Sequence, residues 1–466
     1  MLKTRESGNI FTLFRDALRG SHMDYTDGPI GRAVLMLAIP MVLELILESV
    51  LAVVDVFFVS RLGADAIATV GLTESMLTIM YAVVIGLCTG VTAVVARRIG
   101  ERDADGAARA AVQAIALGVA FSIPVGIGGV WLAPRMLAFM GASPGVIANV
   151  SYTRVMFGLN IVILMLFLLN AVFRGAGDAT VAMRVLWTAN AINLCLDPCL
   201  IFGLGPFHRF GVTGAAIATT TGRGIAVLLQ LIVLWRGTDR ITIRWNHLRI
   251  EPDIMLNMVR LSGSAVFQSL IATTSWVVLV RTIASFGSNA VAAYTITIRI
   301  VIFALLPAWG LANAAATLVG QNLGAGEPER AELSVWQTCR YAFWVFAAMT
   351  VVFLIVATPL VGAFTRDAPV LAIATPGLRI ATIGFLGYAL GLVVSQAFNG
   401  AGDMWSPMIV NLVSFWVFGV TLAYVLAQRL SYGPSGVFVA ITSGFVMMAV
   451  SSVALFRRGT WKTKRV

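Results

Sequence analysis

The sequence predicts an all-α polytopic membrane protein, twelve transmembrane helices in two pseudo-symmetric six-helix lobes, and three observations carry that prediction. The first is composition: of 466 residues, 59% are hydrophobic and only 12% charged, which lies outside the range of soluble globular domains. The second is a series of twelve apolar runs, each long enough to cross a bilayer. The third is a direct internal repeat. LGADAIATV at 62–70 pairs with FGSNAVAAY at 286–294, TAVVARRIG at 92–100 with ATLVGQNLG at 316–324, and RGAGD at 174–178 with NGAGD at 399–403, each pair separated by 224 or 225 positions. An even number of spans per repeat gives both halves the same orientation in the membrane.

Taken in order, the apolar runs fall at about 33–59, 67–97, 108–133, 147–173, 179–203, 212–235, 259–284, 290–320, 334–363, 371–398, 404–428 and 434–456. The expected organisation is an N-terminal tail (1–32), a first lobe (33–235), a linker (236–258), a second lobe (259–456) and a basic C-terminal tail (457–466). Arginines such as Arg97, Arg98, Arg102, Arg109, Arg236, Arg240, Arg330 and Arg457 gather in alternate gaps, and the opposite gaps hold few. That bias predicts both termini in the cytoplasm of a plasma, or bacterial inner, membrane. It also accounts for the net charge of +11 without nucleic acid. In the linker, Ile241, Ile243 and Trp245 interleave with arginines, which predicts a segment lying on the membrane face. Cys88, Cys195, Cys199 and Cys339 all fall in apolar segments and are expected to be reduced and inert. No cleavable signal peptide is expected at the N-terminus.

The first run, LAIPMVLELILESVLAVVDVFFVSRLG, carries Glu44, Glu48 and Asp55. At about 100° per residue these acids fall within roughly 40° of each other, a single carboxylate stripe on a greasy helix. An ionised acid at mid-membrane costs about 2.5–3.5 kcal/mol, so the stripe calls for protons, cations or a wet cavity. Glu44 or Glu48 alone also fits a solvated group near a helix end.

The repeat supplies an internal test, because residues serving only a shared scaffold tend to match between halves. Asp55 pairs with Leu279, Glu48 with Ala272, Glu74 with Ile298 and Asp197 with Leu422; only Glu44 meets a polar residue, Gln268. Asn190, Asn193 and Asp197 share one face of the fifth helix. Thr219, whose counterpart is Ile441, is expected at the same depth as Asp55 and Asp197. Two carboxylates, an amide and a hydroxyl are hard oxygen ligands suited to Na⁺ or to a held proton, while polar glue between helices is the structural alternative. Four arginines also sit at membrane depth. Arg154 and Arg379 are repeat-equivalent, which favours a scaffold or interfacial role; Arg223 and Arg299 are not, and are available to neutralise acids or meet substrate.

At these residues the chain resembles the multidrug and toxic compound extrusion (MATE) family over nearly its whole length. The matching stretches are LAIP with VVDVFFVSRLG, VFRGAGD, NLCLDP followed by GVTGAAIAT, ATLVGQNLGAG and FNGAGD. The resemblance implies a V-shaped pair of lobes and export of cationic or amphipathic drugs in exchange for H⁺ or Na⁺, with no cofactor beyond that ion. Its cation site falls on Asp55, Asn193, Asp197 and Thr219, and Pro40 matches a proline associated with bending of the first helix. Glu44, Glu48, Asn170, Asn190 and Gln268 are expected to line the substrate cavity. Family members of the Vibrio type also use acids in the seventh and tenth helices, where this chain has Ala272 and the region of Tyr388. That departure favours the N-lobe-coupled, DinF-like branch.

The expected partners are small-molecule drugs and membrane lipid, with no obligate protein partner, the chain acting as a monomer. The nearest rival is a lipid-linked saccharide flippase using Arg223 and Arg299 to hold a pyrophosphate. An enzyme is excluded by the lack of a catalytic set: there is no phosphate loop, no HExxH and no histidine at membrane depth among His22, His208 and His247.

Overall fold

A computed structural model describes residues 10–20 and 23–464. The first nine residues of the tail, His22 and the last two residues of the basic tail lie outside the described residues. Among those described, the chain is helical with no β-strand. A short α1 (Ile10–Arg19) precedes α2 (Ile30–Ser60), α3 (Ala64–Gly100) and α4 (Ala104–Phe139). Next come α5 (Pro144–Ala148), α6 (Val150–Gly158), α7 (Asn160–Ala176), α8 (Ala179–Phe202) and α9 (Val212–Arg236). The second half holds α10 (Pro252–Ala284), α11 (Ser288–Gly324), α12 (Pro328–Gly362), α13 (Ala368–Ile383) and α14 (Phe385–Gly400). It ends with α15 (Trp405–Asn411), which continues through α16 (Thr421–Tyr424) with π-helical turns, and with α17 (Pro434–Phe456). Nine helices among the described residues are long and apolar enough to cross a membrane, and the bent pairs α6–α7 (44°) and α13–α14 (46°) bring the spans to eleven. The remaining stretch of the sequence count is α2, 31 residues long and carrying the three acids.

The repeat is visible in the helices themselves. The bounds of α3 and α11 differ by 224 at both ends, and both bent pairs break at repeat-equivalent positions, Leu159 and Gly384. The repeated GAGD motif has a backbone reason. Gly177 and Gly402 adopt φ of +86° and +84°, a left-handed turn that L side chains resist; Gly177 caps α7, and Gly402 turns the chain two residues after α14 ends.

The halves meet through two equivalent crossings. A Cβ on Gly86 of α3 would lie 2.4 Å from Val266 Cγ2 on α10, and one on Gly310 of α11 would lie 2.4 Å from Val42 Cγ2 on α2. These four residues are two repeat-related pairs, each 224 apart. Both crossings, with Gly100 against the Gln321 carbonyl and Gly320 against Ala96, lie toward the side carrying the two termini. The halves are therefore joined at that side, the geometry of a V. Ala33 to Met41 of α2 are buried in the core of the second half, whereas Val59 belongs to that of the first. One helix thus serves both cores, and Pro40 sits where it leaves one of them.

The terminal segments cover the joined side. Arg330 of α12 donates to the carbonyls of Asp27 and Gly28 at 2.9 Å, and Arg97 of α3 donates to that of Lys464 at 2.9 Å. The Thr26 hydroxyl, 2.6 Å from Asp24 Oδ1, holds the Asp24 carboxyl below its ordinary value. The linker departs from expectation. Ile241 and Ile243 are buried in the first-half core, and only Trp245 is exposed, packed edge-on against Trp235. The reason is local tethering: Gln113 bonds the backbone at Arg249 and Glu251, and His247 meets Asp105 at 3.1 Å. Among the cysteines, Cys195 is exposed rather than buried.

Candidate functional site

Three helices bring the first cluster together. Asp55 comes from the last two turns of α2, Asn193 and Asp197 from one face of α8, and Thr219 from α9. With its amide turned to match its neighbours, Asn193 donates to Asp55 Oδ1 at 3.0 Å and to Asp197 Oδ2 at 3.2 Å, while its oxygen accepts from the Thr219 hydroxyl and backbone N–H, both at 3.1 Å. Asp197 is fully buried, and its Oδ1 has no hydrogen-bond partner. Two carboxylates therefore converge on one amide, and one oxygen remains free to hold a cation or a proton. Removing a polar atom from water without a partner costs about 1–3 kcal/mol, which makes that oxygen a receptive position.

Asp55, Asn193 and Thr219 form one wall of a cavity of about 270 Å³, with Asp197 buried behind them. Glu48 and Asn190, both expected at the substrate cavity, line it, and the Asn190 amide nitrogen is buried without a partner. Arg223 of α9 reaches into the same space, with its Nη2 at 3.9 Å from Glu48 Oε1. Glu74, Tyr81 and Tyr152 complete the polar lining. Glu74 had a signal in the sequence, its mismatch with Ile298. The two tyrosines had none, because an isolated aromatic residue in an apolar run reads as packing.

Two expected cavity residues are elsewhere. Glu44 and Asn170 are 3% and 4% exposed and line neither this cavity nor the one that holds Gln268. Asn170 Nδ2 donates to Glu44 Oε1 at 3.0 Å, Arg174 Nη1 lies 3.3 Å from the same oxygen, and Gln230 bonds Asn170 Oδ1. The Arg174 carbonyl in turn accepts from Thr317 of α11 at 3.1 Å, tying this network to the second half. The correction follows from helix length. Glu44 and Asp55 share a face of α2 but are separated by eleven residues, roughly 16 Å of rise. The acid stripe is thus three stations, each with its own partners.

Gln268 lies in a larger cavity of about 580 Å³, built mainly by the second half and closed on one side by Ile85 and Thr89 of α3. Trp276, Tyr294, Trp309, Tyr388 and Phe415 give it aromatic walls, and no charged residue lines it. Ala272 and Tyr388, the positions of interest in the seventh and tenth spans, both face this space. Pro40 is buried within an unbroken α2. Arg299 is exposed in a separate recess beside Tyr294 and Ile298.

The MatE family matches residues 40–199 and 264–425. Among curated relatives, a "Probable multidrug resistance protein NorM" of Thermotoga maritima is 23% identical over 443 residues, covering 94% of each chain. An "FAD transporter" of Shewanella oneidensis is 25% identical over 446 residues, covering 92% of this chain and 95% of its own. Among solved structures, an "Outward-facing conformation of a multidrug resistance MATE family transporter of the MOP superfamily" superposes with a TM-score of 0.87 at 25% identity, covering 95% of this chain and 98% of that one. With two matched segments that span most of both halves, the chain belongs to the MatE family and is an integral membrane transporter, not an enzyme.

Proposed function

We propose that this protein is a secondary antiporter that exports cationic or amphipathic compounds in exchange for a cation bound at Asp55, Asn193, Asp197 and Thr219. The observation that carries the reading is the unpartnered Asp197 oxygen beside Asp55, bridged by Asn193. The arrangement favours a proton over Na⁺. The amide presents its N–H groups to both acids and spends its oxygen on Thr219, so a Na⁺ ion would find two carboxylates and the Thr219 hydroxyl and would need the amide reversed to gain the Asn193 oxygen.

Cation binding would draw α2 and α8 together at the Asp55 level while the other end of α2 stays anchored in the second half. The strain then falls near Pro40, where the missing backbone N–H weakens the helix. The second-half cavity suits the compound itself: aromatic walls receive a flat apolar body, and their faces attract a positive charge. The flippase reading is weaker, because Arg223 is engaged by Glu48 and lines a different cavity from Arg299.

The test is efflux of a fluorescent cationic dye from proteoliposomes under an imposed pH gradient or an imposed Na⁺ gradient, for wild type and Asp55→Asn. Wild-type efflux driven by the pH gradient, and its loss in the variant, is the expected result. Efflux driven only by Na⁺ removes the proton assignment and keeps the site. Equal efflux by the variant removes the site.

A further inference from the structure

A groove of about 770 Å³ runs along the outside of the first half, between α4 and the bent α6–α7 pair. Ile123, Ile127, Val130 and Trp131 form its wall on α4 and are 53%, 69%, 37% and 74% exposed. In a chain that spans a bilayer, an apolar surface of this kind meets lipid tails. Arg154, an exposed arginine, also lines the groove and is the only charged residue there. No hydrogen bond or ion pair engages it among the described residues. Near the start of the bent α6–α7 span the guanidinium can reach the head-group level, where it is free to pair with an anion that the protein does not supply.

The second half repeats the feature. Arg379 is the counterpart of Arg154, and each stands five residues before the break of its bent pair. Arg379 is likewise exposed, and its Nη2 donates to the Thr358 hydroxyl of α12 at 3.5 Å, on a helix that also exposes Val351, Val352 and Ile355. The two sites differ: among the described residues Arg154 has no protein partner and lines the groove, whereas Arg379 meets Thr358. Near the first, Arg135 lies over the Trp131 ring at 5.7 Å, which places a second cation and an interfacial aromatic at the end of α4 farther from the termini.

We propose that Arg154 and Arg379 each hold the phosphate of an anionic phospholipid in the leaflet farther from the termini, with an acyl chain lying along Ile123 and Ile127 at the first site. The chemistry selects the lipid. A guanidinium binds a phosphodiester through paired N–H groups. With no carboxylate in the groove to receive a choline or ethanolamine head group, a lipid of net negative charge is the better match. This assignment is independent of the transported compound and of the coupling ion.

Native mass spectrometry of the purified protein, incubated with phosphatidylglycerol or phosphatidylcholine in detergent, tests it. Wild type is expected to retain two phosphatidylglycerol molecules in preference to phosphatidylcholine. Arg154→Gln and Arg379→Gln are each expected to lose one, and Arg154→Lys, which keeps the charge without the paired N–H groups, to hold it more weakly than wild type and more strongly than Arg154→Gln. Ile127→Trp fills the groove with Arg154 intact and is expected to lose the same lipid, so the test stands even where the arginine variants fail to fold. Equal retention of the two lipids by wild type, or an unchanged phosphatidylglycerol count in both Arg154→Gln and Ile127→Trp, overturns the proposal.

Discussion

Asn193 holds the Asp55–Asp197 cluster together at the residue scale. Its amide serves Asp55, Asp197 and Thr219 at once, which ties α2, α8 and α9 at one level. Asn193→Ala would leave two converging carboxylates and the Thr219 hydroxyl without that partner. The expected cost is about 1–3 kcal/mol, read as a lower melting temperature in detergent at neutral pH. The conservative Asn193→Gln offers the same groups one methylene farther out and should recover part of the loss. Equal stability of Asn193→Ala and wild type would mean that the amide is not engaged with the acids. Arg223 plays a related part: its pairing with Glu48 places a fixed positive charge in the cavity next to the acids.

Among the elements, α2 is the one on which both halves depend. Its first third is buried with the second half, its last turns face the first, and its Val42 touches the backbone of α11 at Gly310. Gly310→Leu would drive a side chain into Val42, whose backbone nitrogen is 2.8 Å from the Cβ position, where no rotamer change relieves the clash. Overpacking of this kind costs about 1–3 kcal/mol and should lower the melting temperature. The repeat adds a control. Gly86→Leu makes the equivalent clash with Val266 on the other crossing and should cost a similar amount. A large difference between the two would show that the crossings do not share the load.

At the scale of the whole molecule, the halves are joined on the side of the termini by small residues in close approach, and the proposed antiport, if it proceeds by alternating access, would require that this side separate. A Cβ on Gly320 would lie 2.7 Å from the Ala96 Cβ, close enough for a disulfide after a small shift. In a background with the four native cysteines replaced, oxidised Ala96→Cys/Gly320→Cys is expected to lose dye efflux, and reduction to restore it. Efflux that persists with the disulfide formed would place the moving interface elsewhere.

Much of this was legible in the chain because the membrane makes burial visible as composition: a span must be apolar, so a polar residue within one stands out. The repeat sharpened the contrast, and Asp55, Asp197 and Thr219 were separated from the scaffold by comparison with Leu279, Leu422 and Ile441. What the one-dimensional pattern lacked was depth and partner. Glu44 shares a helical face with Asp55, yet the rise of α2 carries it to Arg174 and Asn170 instead of an open cavity. Ile241 and Ile243 share a pattern with Trp245, yet tethers from Gln113 and Asp105 turn them inward. Helical period and hydrophobicity are properties of neighbours along the chain, so the sequence by itself determined the spans, the twofold repeat and the identity of the acid cluster. Which acid pairs with which cation, where the two cavities lie and which side of the V is joined depend on contacts between residues far apart in sequence, and only the tertiary structure decided them.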